Sequence, residues 1–359
     1  MACGGAELRT LDLMEALDPA LFKFEFCVLS GLPGELDSKI LALGGKVHYL
    51  RLGISFHAQF ATLLRSEKYH VVHSHVHLFS GYLLRTAYFA QVPVRICHLH
   101  TTEKSIGFRK KVQNRLMRNW LTTYANHFIA VSQGVLNAFF EFAPHLTHDS
   151  RCTLIYDAIN LERFEAASAN HEPPPDIPLF NEAKLIVHVG RFNPVKNHEK
   201  LFEVFRQIQV KLPCAKLLLL GEGDTARTSK LHELAKTLMI SDSVIFLGNR
   251  TDVPEILARA DLMIFPSKWE GLPGAVLEAS ALGLPVLCSV LPGSLEIKAY
   301  FSSIHCLSLL ETNDAWAEVA HLLLQQTRTT SEKSLEILRH SPFTVRYCLQ
   351  QMSKIWKSA

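Results

Sequence analysis

Ala260 to Ser289 reads ADLMIFPSKWEGLPGAVLEASALGLPVLCS, and this stretch indicates the fold class. An apolar run at Leu262–Phe265 leads into a loop rich in glycine and proline, and a helical pattern follows from about Pro273 to Leu282. A second apolar run, Val286–Ser289, closes the stretch. Runs that are apolar on both faces and flank a helix are typical of a parallel sheet covered by helices. The stretch therefore predicts a βαβ unit of an α/β protein.

The same alternation of short apolar runs and helical patterns continues along the whole chain. It predicts about six parallel strands in each half, and hence two doubly wound, Rossmann-like domains facing each other across a cleft. Ligands of such sheets bind beyond the carboxyl ends of the strands, so the loops there are the candidates for chemistry. The remaining predicted strands are Phe22–Leu29, Val47–Leu52, His70–His73, Val94–Leu99, Phe128–Val131, Thr153–Ile155, Leu185–Val189, Lys216–Leu220, Val244–Leu247 and His305–Leu309.

The segment EPPPDIP, Glu172 to Pro178, is the best candidate for a linker, because three consecutive prolines cannot continue a helix or a central strand. It predicts an N-terminal domain at 1–170 and a C-terminal domain at 171–340, with a last helix at 341–359 that crosses back to the first domain. A chain of 359 residues is long enough for a sizeable core in each domain.

The composition excludes several classes of protein. Lysine and arginine number 37 and aspartate and glutamate 34, and the net charge of +3 gives no support to a nucleic-acid binder. Apolar residues make up 48%, which excludes a mainly disordered chain. The eight cysteines are scattered without a C-x-x-C pair, which argues against a zinc ribbon or a disulfide framework. With no signal peptide and no apolar run of about 18 residues, a cytoplasmic location is expected.

Two carboxylates accompany the predicted helix of the opening stretch, with Glu270 in the loop and Glu278 inside the helix. Each can accept hydrogen bonds from sugar hydroxyls. The N-terminus of the helix would attract an anion such as a phosphate. An ordinary loop with two solvated glutamates is the alternative, and the spacing alone does not decide between them.

Cations and glycines stand at two further strand or helix ends. Arg191 follows Gly190 directly, and Lys196 stands five residues after Arg191. Two cations at a strand end can neutralise a leaving diphosphate without a metal, and plain surface exposure is the alternative. The glycine pair in GGAE, Gly4 to Glu7, would let backbone N–H groups approach a ligand, although many such pairs are simple turns.

Histidines stand at alternate positions in two segments of the sequence, each at or after a predicted strand. His98 and His100 share a face, and His100 is the better placed to contact a sugar hydroxyl or the reacting centre, with a structural histidine as the alternative. His73, His75 and His77 alternate in the same way, but no carboxylate or cysteine stands beside them, so a metal site is not favoured. No D-x-D sequence occurs, which argues against a carboxylate-held Mg²⁺ or Mn²⁺.

The segment FRKKVQNRLMRNWL, Phe108 to Leu121, predicts a basic amphipathic helix. Helices of this type lie on anionic membranes, so the chain is expected to bind peripherally to the inner face of the membrane. A packed helix with a solvated cationic face is the alternative.

In combination, these motifs resemble the family-four retaining glycosyltransferases of the GT-B fold, of the bacterial surface-polysaccharide type. The resemblance covers nearly the whole chain and is strongest from Lys184 to Ile297. Besides His100, the segments that carry it are GGAE (Gly4–Glu7), AVSQGV (Ala130–Val135), the GR…K pattern (Gly190–Lys196), LLGEGD (Leu219–Asp224), GNRTDVPEILARADLMIFPS (Gly248–Ser267) and EGLPGAVLE (Glu270–Glu278).

The resemblance implies a role for each matching residue. Glu278 would hold the donor ribose, and Glu270 the transferred sugar. Arg191 and Lys196 would neutralise the diphosphate as it leaves, and His100 would contact the sugar near the reacting carbon. His100, Glu270, Arg191 and Lys196 are therefore the expected catalytic residues. The expected donor-binding residues are Gly5, Arg191, Lys196, Glu270, Gly271, Leu272, Pro273, Gly274 and Glu278.

The resemblance implies an enzyme that moves a hexose from a nucleotide diphosphate sugar to a glycan or lipid-linked acceptor. It further implies that the transfer retains the anomeric configuration and needs neither a metal nor another cofactor. Polysaccharide or lipopolysaccharide biosynthesis is the expected setting. A non-catalytic nucleotide-sugar-binding or partner subunit is the alternative. An epimerase or phosphorylase on the same fold is a third hypothesis, which the glutamate pair disfavours.

Two features depart from the family pattern. YDAIN stands at Tyr156–Asn160, where the family has an Asn-Gly pair and an Asp. The family begins with a buried strand before the glycine loop, whereas this sequence opens with MACGGAELRT. We therefore expect the first strand of the N-terminal domain to be missing and sheet edges to be exposed as a result. We also expect codons upstream of Met1 to encode a short apolar strand.

Overall fold

The computed structural model describes residues 5–101, 108–170 and 183–358, and the side chains of residues 108–114 lie outside that description. The predicted linker at Glu172–Pro178 and the residue Gly4 also lie outside the described residues. Within the described part, no helix is both long enough and apolar enough to cross a bilayer.

Twelve strands form in the described part of the chain, and every predicted strand is present within a few residues of its expected ends. All the strand pairs are parallel, as predicted. The strands are β1 (Glu25–Val28), β2 (Lys46–Tyr49), β3 (Val71–Ser74), β4 (Val94–Leu99), β5 (His127–Ala130), β6 (Cys152–Leu154), β7 (Leu185–Val189), β8 (Lys216–Leu220), β9 (Val244–Gly248), β10 (Leu262–Phe265), β11 (Val286–Ser289) and β12 (Ile304–Leu307).

Helices separate the strands, and polar side chains begin several of them. Ser132 Oγ accepts a hydrogen bond from the Val135 N–H at 3.1 Å, and Asp224 Oδ1 accepts one from the Arg227 N–H at 2.7 Å. The helices are α1 (Gly5–Glu15), α2 (Asp37–Ala42), α3 (Phe56–Glu67), α4 (Ser80–Phe89), α5 (Phe108–Tyr124), α6 (Gln133–Phe142), α7 (Leu161–Ala169), α8 (His198–Lys211), α9 (Thr225–Thr237), α10 (Val253–Arg259), α11 (Gly274–Ala281), α12 (Pro292–Lys298), α13 (Asn313–Gln325), α14 (Ser331–Arg339) and α15 (Val345–Trp356).

The chain divides into two compact units. Unit 1 consists of residues 1–159 and 342–359, and unit 2 of residues 160–341. The structure therefore places α7 in unit 2, although the sequence analysis placed residues 161–169 in the first domain. Helix α15 belongs to unit 1, where Trp356 packs edge-on against Phe22 and Phe24, with ring centroids 5.5 and 5.4 Å apart.

Unit 2 contains one six-stranded sheet with the order β12-β11-β10-β7-β8-β9. The four residues of β10 are all buried, as expected for a strand with helices on both faces. Trp316 of α13 is fully buried in this core, and its indole N–H donates to the carbonyl of Ser308 at 3.0 Å. The rigid sheet fixes the loops that follow β7 and β10.

Unit 1 contains two separate sheets, one with the order β1-β2 and the other with the order β3-β4-β5-β6. Strands β4 and β5 are buried, whereas all four residues of β1 are only half-buried. Among the described residues, no strand pairs with the second edge of β1 or of β3. Within the described residues, unit 1 therefore has two sheets where unit 2 has one.

Candidate active site

The carboxyl end of β7 approaches the neighbouring strand backbone to backbone. Gly221 follows β8 with a φ of +130°, a conformation that side chains rarely tolerate. A Cβ atom on Gly221 would lie 2.3 Å from the carbonyl oxygen of Gly190. The close contact holds Gly190 in place, and Arg191 follows it as an exposed residue at the strand end.

The short turn that precedes α8 positions Lys196. The Asn193 side chain accepts hydrogen bonds from the N–H groups of Val195 and Lys196 at 3.1 and 3.2 Å, which fixes this turn. Lys196 Nζ then lies 2.7 Å from Glu270 Oε1 and 4.6 Å from the ring centroid of Phe265. The two side chains of the ion pair are only 18% and 17% exposed. The structure thus joins the predicted cation and the predicted carboxylate directly.

The glycine-rich loop is packed tightly between Glu270 and the start of α11. Gly271, Leu272 and Pro273 are buried. A Cβ atom on Gly293 would lie 2.2 Å from the Gly271 carbonyl oxygen, so the start of α12 is in close backbone contact with this loop. Helix α11 begins one residue after the predicted start, and no side chain caps its first N–H groups. Those N–H groups give this end of the helix a positive partial charge.

The predicted residues of unit 2 therefore lie at the carboxyl ends of the adjacent strands β7 and β10. Glu270 and Lys196 touch each other, and Arg191 stands five residues before Lys196 on the same loop. Gly274 begins α11, and Glu278 is half-buried in its second turn. The arrangement combines two cations, two carboxylates and one helix N-terminus on one edge of the sheet. It can neutralise a diphosphate and accept hydrogen bonds from hydroxyls.

In unit 1, His100 follows the end of β4 and belongs to a cluster of four histidines. The rings of His98 and His100 lie 4.3 Å apart, as expected for residues on one strand face. His75 Nδ1 lies 2.8 Å from His100 Nε2, and His73 Nε2 lies 3.1 Å from His98 Nδ1. Asp157 Oδ2 lies 3.9 Å from His100 Nδ1. His100 is thus held between a second imidazole and a carboxylate.

Burial keeps the imidazoles of this cluster uncharged at pH 7. Removal from water lowers the pKa of His75 to about 3 and that of His100 to about 4, and neighbouring imidazoles add to the effect. Burial raises the pKa of Asp157 to about 6, and Arg9 opposes part of that rise. His100 is therefore a neutral imidazole at pH 7, able to donate one hydrogen bond and accept another.

In the structure His77 does not share a strand face with His73 and His75. Strand β3 ends at Ser74, and His77 begins a short 3₁₀ turn with a φ of +50° and an exposed side chain. In the groups His73–His75–His98 and His98–His100–Asp157, one donor atom per residue lies within 4.8 Å of the others.

Two predicted features are only partly described. Gly5 is the exposed first residue of α1, and a Cβ atom there would meet no atom within 4 Å, so this glycine makes no close approach. The side chains of Arg109, Lys110 and Lys111 lie outside the described residues.

Sequence reasoning missed Asp157 and Phe265 as neighbours of the site. Asp157 lies in YDAIN, which sequence analysis noted only as a departure from a pattern. Phe265 is the last residue of a predicted strand and looked like an ordinary core position. The pairing of β7 with β10 would have placed Phe265 beside the loop of Lys196.

Two family models match this chain. The model described as Glycosyl transferases group 1 matches residues 172–326, and the model described as Glycosyltransferase Family 4 matches residues 3–163. Each match covers somewhat less than half of the chain, and the first contains every predicted site residue of unit 2.

Similar proteins include two curated bacterial enzymes. A capsular polysaccharide biosynthesis glycosyltransferase of Staphylococcus aureus, CapH, is 26% identical over 99% of this chain and 96% of its own. The UDP-Gal:alpha-D-GlcNAc-diphosphoundecaprenol alpha-1,3-galactosyltransferase of Escherichia coli is 29% identical over 77% of this chain and 70% of its own. Among solved structures, HepE of Anabaena in complex with UDP-glucose has a TM-score of 0.79 at 19% identity and covers 99% of this chain and 97% of its own.

Proposed function

The chain belongs to the family-four glycosyltransferases of the GT-B fold, and we propose that it moves a hexose from a nucleotide diphosphate sugar to a glycan or lipid-linked acceptor. The observation that carries the proposal is the contact between Lys196 and Glu270 at the carboxyl edge of the unit 2 sheet. A cation for phosphate and a carboxylate for hydroxyls are the two chemistries that such a donor requires.

Lys196 and Arg191 are proposed to bind the diphosphate. Negative charge builds up on the leaving phosphate as the bond to the sugar breaks, and cations fixed in position lower the energy of that state. The N-terminus of α11 adds further N–H donors, since no side chain caps it. In the ligand-free protein Glu270 compensates the charge of Lys196, so the cation is held in place before the donor arrives.

The two glutamates are proposed to recognise the sugars of the donor. Glu270 accepts hydrogen bonds from the transferred hexose, with the backbone of residues 271–274 beside it, and Glu278 accepts hydrogen bonds from the ribose. Both roles follow the family resemblance. They are supported by the position of both carboxylates around the start of α11.

His100 is proposed to contact the transferred sugar near the reacting carbon, and the backbone at Gly5 to contribute N–H groups to the phosphates. A neutral imidazole suits this role, because it accepts or donates a hydrogen bond without adding charge. The hydrogen bond between His75 and His100 and the proximity of Asp157 support a fixed ring orientation for His100.

The reaction is proposed to proceed with retention and without a metal or other cofactor. Lys196, Arg191 and the α11 N-terminus supply the positive charge that a divalent cation supplies elsewhere. The acceptor is proposed to be a growing surface glycan on a lipid carrier. The undecaprenol-linked substrate of the Escherichia coli relative and the capsular role of the Staphylococcus aureus relative support this choice.

Unit 1 also carries a surface suited to the membrane that would hold such an acceptor. Arg85 lies over the rings of Phe89 and Trp120 at 5.1 and 4.9 Å, and Tyr88 and Phe89 are about half exposed. Aromatic and cationic side chains of this kind favour the interface of an anionic bilayer. We propose that these residues of α4 and α5, with exposed Arg115, attach the enzyme peripherally to the inner face of the membrane.

A screen of nucleotide sugars tests the main proposal. The purified chain is incubated with each labelled UDP-, GDP- or ADP-hexose and a lipid extract, and label transfer to the lipid fraction is measured. Transfer from at least one donor, absent in the Lys196→Ala variant, is the expected result. Donor binding by thermal shift without transfer to any extract would favour the non-catalytic alternative.

A further inference from the structure

Two cysteines of unit 2 lie side by side on neighbouring strands. Cys288 of β11 and Cys306 of β12 are register partners in a parallel pair, so their side chains point to the same face of the sheet. Their Sγ atoms lie 3.7 Å apart, and both residues are free thiols. The proposed transfer reaction uses neither of them, so the pair is available for chemistry of its own.

The backbone geometry of this pair suits a disulfide bond. Neighbouring strands lie about 4.7–4.9 Å apart, and a disulfide needs Cα atoms separated by about 4.4–6.8 Å. Rotation of the two side chains would bring the Sγ atoms from 3.7 Å to a bond length of about 2.05 Å. Strand β12 pairs on one side only within the described residues, so it has room to adjust as the bond forms.

The two thiols differ in exposure, which decides which of them meets an oxidant first. Cys288 is fully buried, whereas Cys306 is half-buried and can be reached by a small molecule. A hydrogen bond from the Cys288 S–H lowers the pKa of Cys306 to about 7, where burial opposes the shift and Lys298 of α12 adds to it. The same hydrogen bond and burial raise the pKa of Cys288. Cys306 is therefore the nucleophile of the pair.

Other buried cysteines of the chain show the behaviour of inert core thiols. Burial raises the pKa of Cys97 and that of Cys348 to about 12. Cys306 departs in the opposite direction because it has both a thiol donor and a cation beside it. Packing of apolar side chains alone does not produce that combination.

We propose that Cys306 and Cys288 form a reversible disulfide when the protein meets a hydroperoxide. The Cys306 thiolate attacks one oxygen of the peroxide, the O–O bond breaks, and hydroxide leaves as Cys306 becomes a sulfenic acid. The Cys288 sulfur then attacks the sulfenic sulfur, the S–O bond breaks, and the Cys288 proton leaves with the hydroxyl group as water. With hydrogen peroxide, two thiols lose two electrons, and one peroxide becomes two water molecules.

The bond would restrain the helix between the two cysteines. Residues 288 and 306 would close a loop that contains α12. The backbone of α12 at Gly293 lies directly against the carbonyl of Gly271 in the glycine-rich loop. Closing a loop removes open conformations of the segment inside it. Oxidation is thus expected to hold α12 more firmly in place. The reaction concerns only the thiols of unit 2 and does not depend on the proposed function.

Peptide mass spectrometry on the full chain tests the proposal. The reduced protein is freed of reductant, treated with hydrogen peroxide in the presence or absence of dimedone, blocked with N-ethylmaleimide and digested. Three proteins are compared: the parent, Cys288→Ala, which lacks the second thiol of the pair, and Cys214→Ser, which lacks an exposed thiol of the same unit and is the control. Deuterium exchange of residues 290–305 is followed in the reduced and in the oxidised parent.

The parent and Cys214→Ser should yield a peptide pair that is cross-linked through Cys288 and Cys306 and that dithiothreitol separates. In Cys288→Ala the sulfenic acid has no partner, so dimedone should label Cys306 about tenfold more than in the parent. The amides of residues 290–305 should exchange about fivefold more slowly in the oxidised parent than in the reduced parent.

Three results would overturn the proposal. They are an unmodified Cys306, its oxidation to a sulfinic acid without a cross-link, and a bond from Cys306 to Cys214 of a second copy. Unchanged deuterium exchange in a cross-linked parent would refute the restraint on α12. Donor transfer is not part of the readout, so failure here leaves the proposed function untouched.

Discussion

Lys196 and Glu270 are 74 residues apart in the sequence, yet Lys196 Nζ and Glu270 Oε1 lie 2.7 Å apart at the edge of one sheet. The pair exists because β7 and β10 are neighbours and each is followed by a loop that turns toward the other. The family resemblance implies that Lys196 binds the diphosphate and Glu270 the transferred sugar of one donor, and the predictions below test those proposed roles.

The Lys196→Ala variant should lose nearly all transfer activity while remaining folded. A loss in kcat/KM of about 10³ or more is expected, equivalent to about 4 kcal/mol of transition-state stabilisation. The melting temperature should fall but the protein should stay folded, because Lys196 and Glu270 are only 18% and 17% exposed and Glu270 loses this partner. Kinetics and calorimetry on the same preparation measure both quantities.

The matched control is Lys236→Ala, which removes a cation from the exposed surface of α9 in the same unit. Its activity should equal that of the parent. Full activity in Lys196→Ala would rule out the proposed role of this lysine in stabilising the leaving group.

The Glu278→Ala variant should abolish transfer by weakening donor binding. Loss of a carboxylate that accepts ribose hydroxyls leaves those hydroxyls without their partner, so UDP as well as UDP-sugar should bind more weakly. Calorimetric titration with UDP separates this effect from a purely chemical one. Glu233→Ala, on the exposed face of α9, is the control. Unchanged affinity for UDP would contradict the ribose assignment.

Stability of unit 1 should fall as the pH is lowered from 7 to 4. The unfolded chain protonates its histidines below about pH 6.5, whereas burial lowers the pKa of folded His75 and His100 to about 3 and about 4. The unfolded state therefore binds more protons in this window, and acid favours it. Asp157, with its pKa raised to about 6, acts in the opposite direction, since its folded form takes up a proton first.

Calorimetry at several pH values measures this dependence and resolves the two units, which need not unfold together. Replacing His98 by Gln removes one buried imidazole and should make the decline of the unit 1 melting temperature with falling pH shallower. Asp157→Asn should make it steeper. A melting temperature of unit 1 that is independent of pH between 7 and 4 would contradict the neutral state of the cluster.

Chelation should leave the activity unchanged. The cluster of His73, His75, His98, His100 and Asp157 has spacings that a metal centre could use, so the proposed metal-free reaction is best tested directly. We expect the same turnover before and after dialysis against EDTA, and less than one metal ion per ten chains by elemental analysis. Stoichiometric zinc, with activity lost on chelation and restored by zinc, would overturn the proposal.

Replacing Tyr88 and Phe89 together by serine should weaken binding to vesicles that contain phosphatidylglycerol. Both side chains are about half exposed at the end of α4, and removing them takes apolar area away from the proposed membrane surface. Co-sedimentation with anionic and with zwitterionic vesicles provides the measurement. Leu322→Ser, which changes an exposed apolar residue of unit 2, is the control. Equal sedimentation of all three proteins would argue against this surface.

The strands were predictable because each is a short apolar run with a helix on either side. β4, β7, β8, β10 and β11 begin and end exactly at the predicted residues. Burial on both faces explains this accuracy. A strand covered by helices is apolar at nearly every position, so the change to polar residues marks its ends. The half-buried β1 was predicted too long, because the apolar residues Phe22 and Phe24 before it pack against Trp356 and do not extend the strand.

For the candidate site, the sequence predicted which residues lie close together only where they belong to the same motif. Glu270, Gly274 and Glu278 belong to one loop and helix, so their proximity follows from local geometry. Asp157 reaches His100 through the fold of unit 1, and no spacing in the sequence reports a contact between residues 57 positions apart. His77 lies outside the histidine cluster because β3 ends three residues earlier, and alternate residues share a face only while a strand continues.

Helix α15 has a consequence for the order in which the protein is made. Residues 342–359 complete unit 1 but are translated after every residue of unit 2. Unit 2 is continuous in the chain and can fold on the ribosome. Phe22 and Phe24 can complete their packing only after Trp356 has been synthesised. During translation the earliest-made half of the protein is thus the last to mature, and a nonsense mutation near the end of the gene would damage the beginning of the structure.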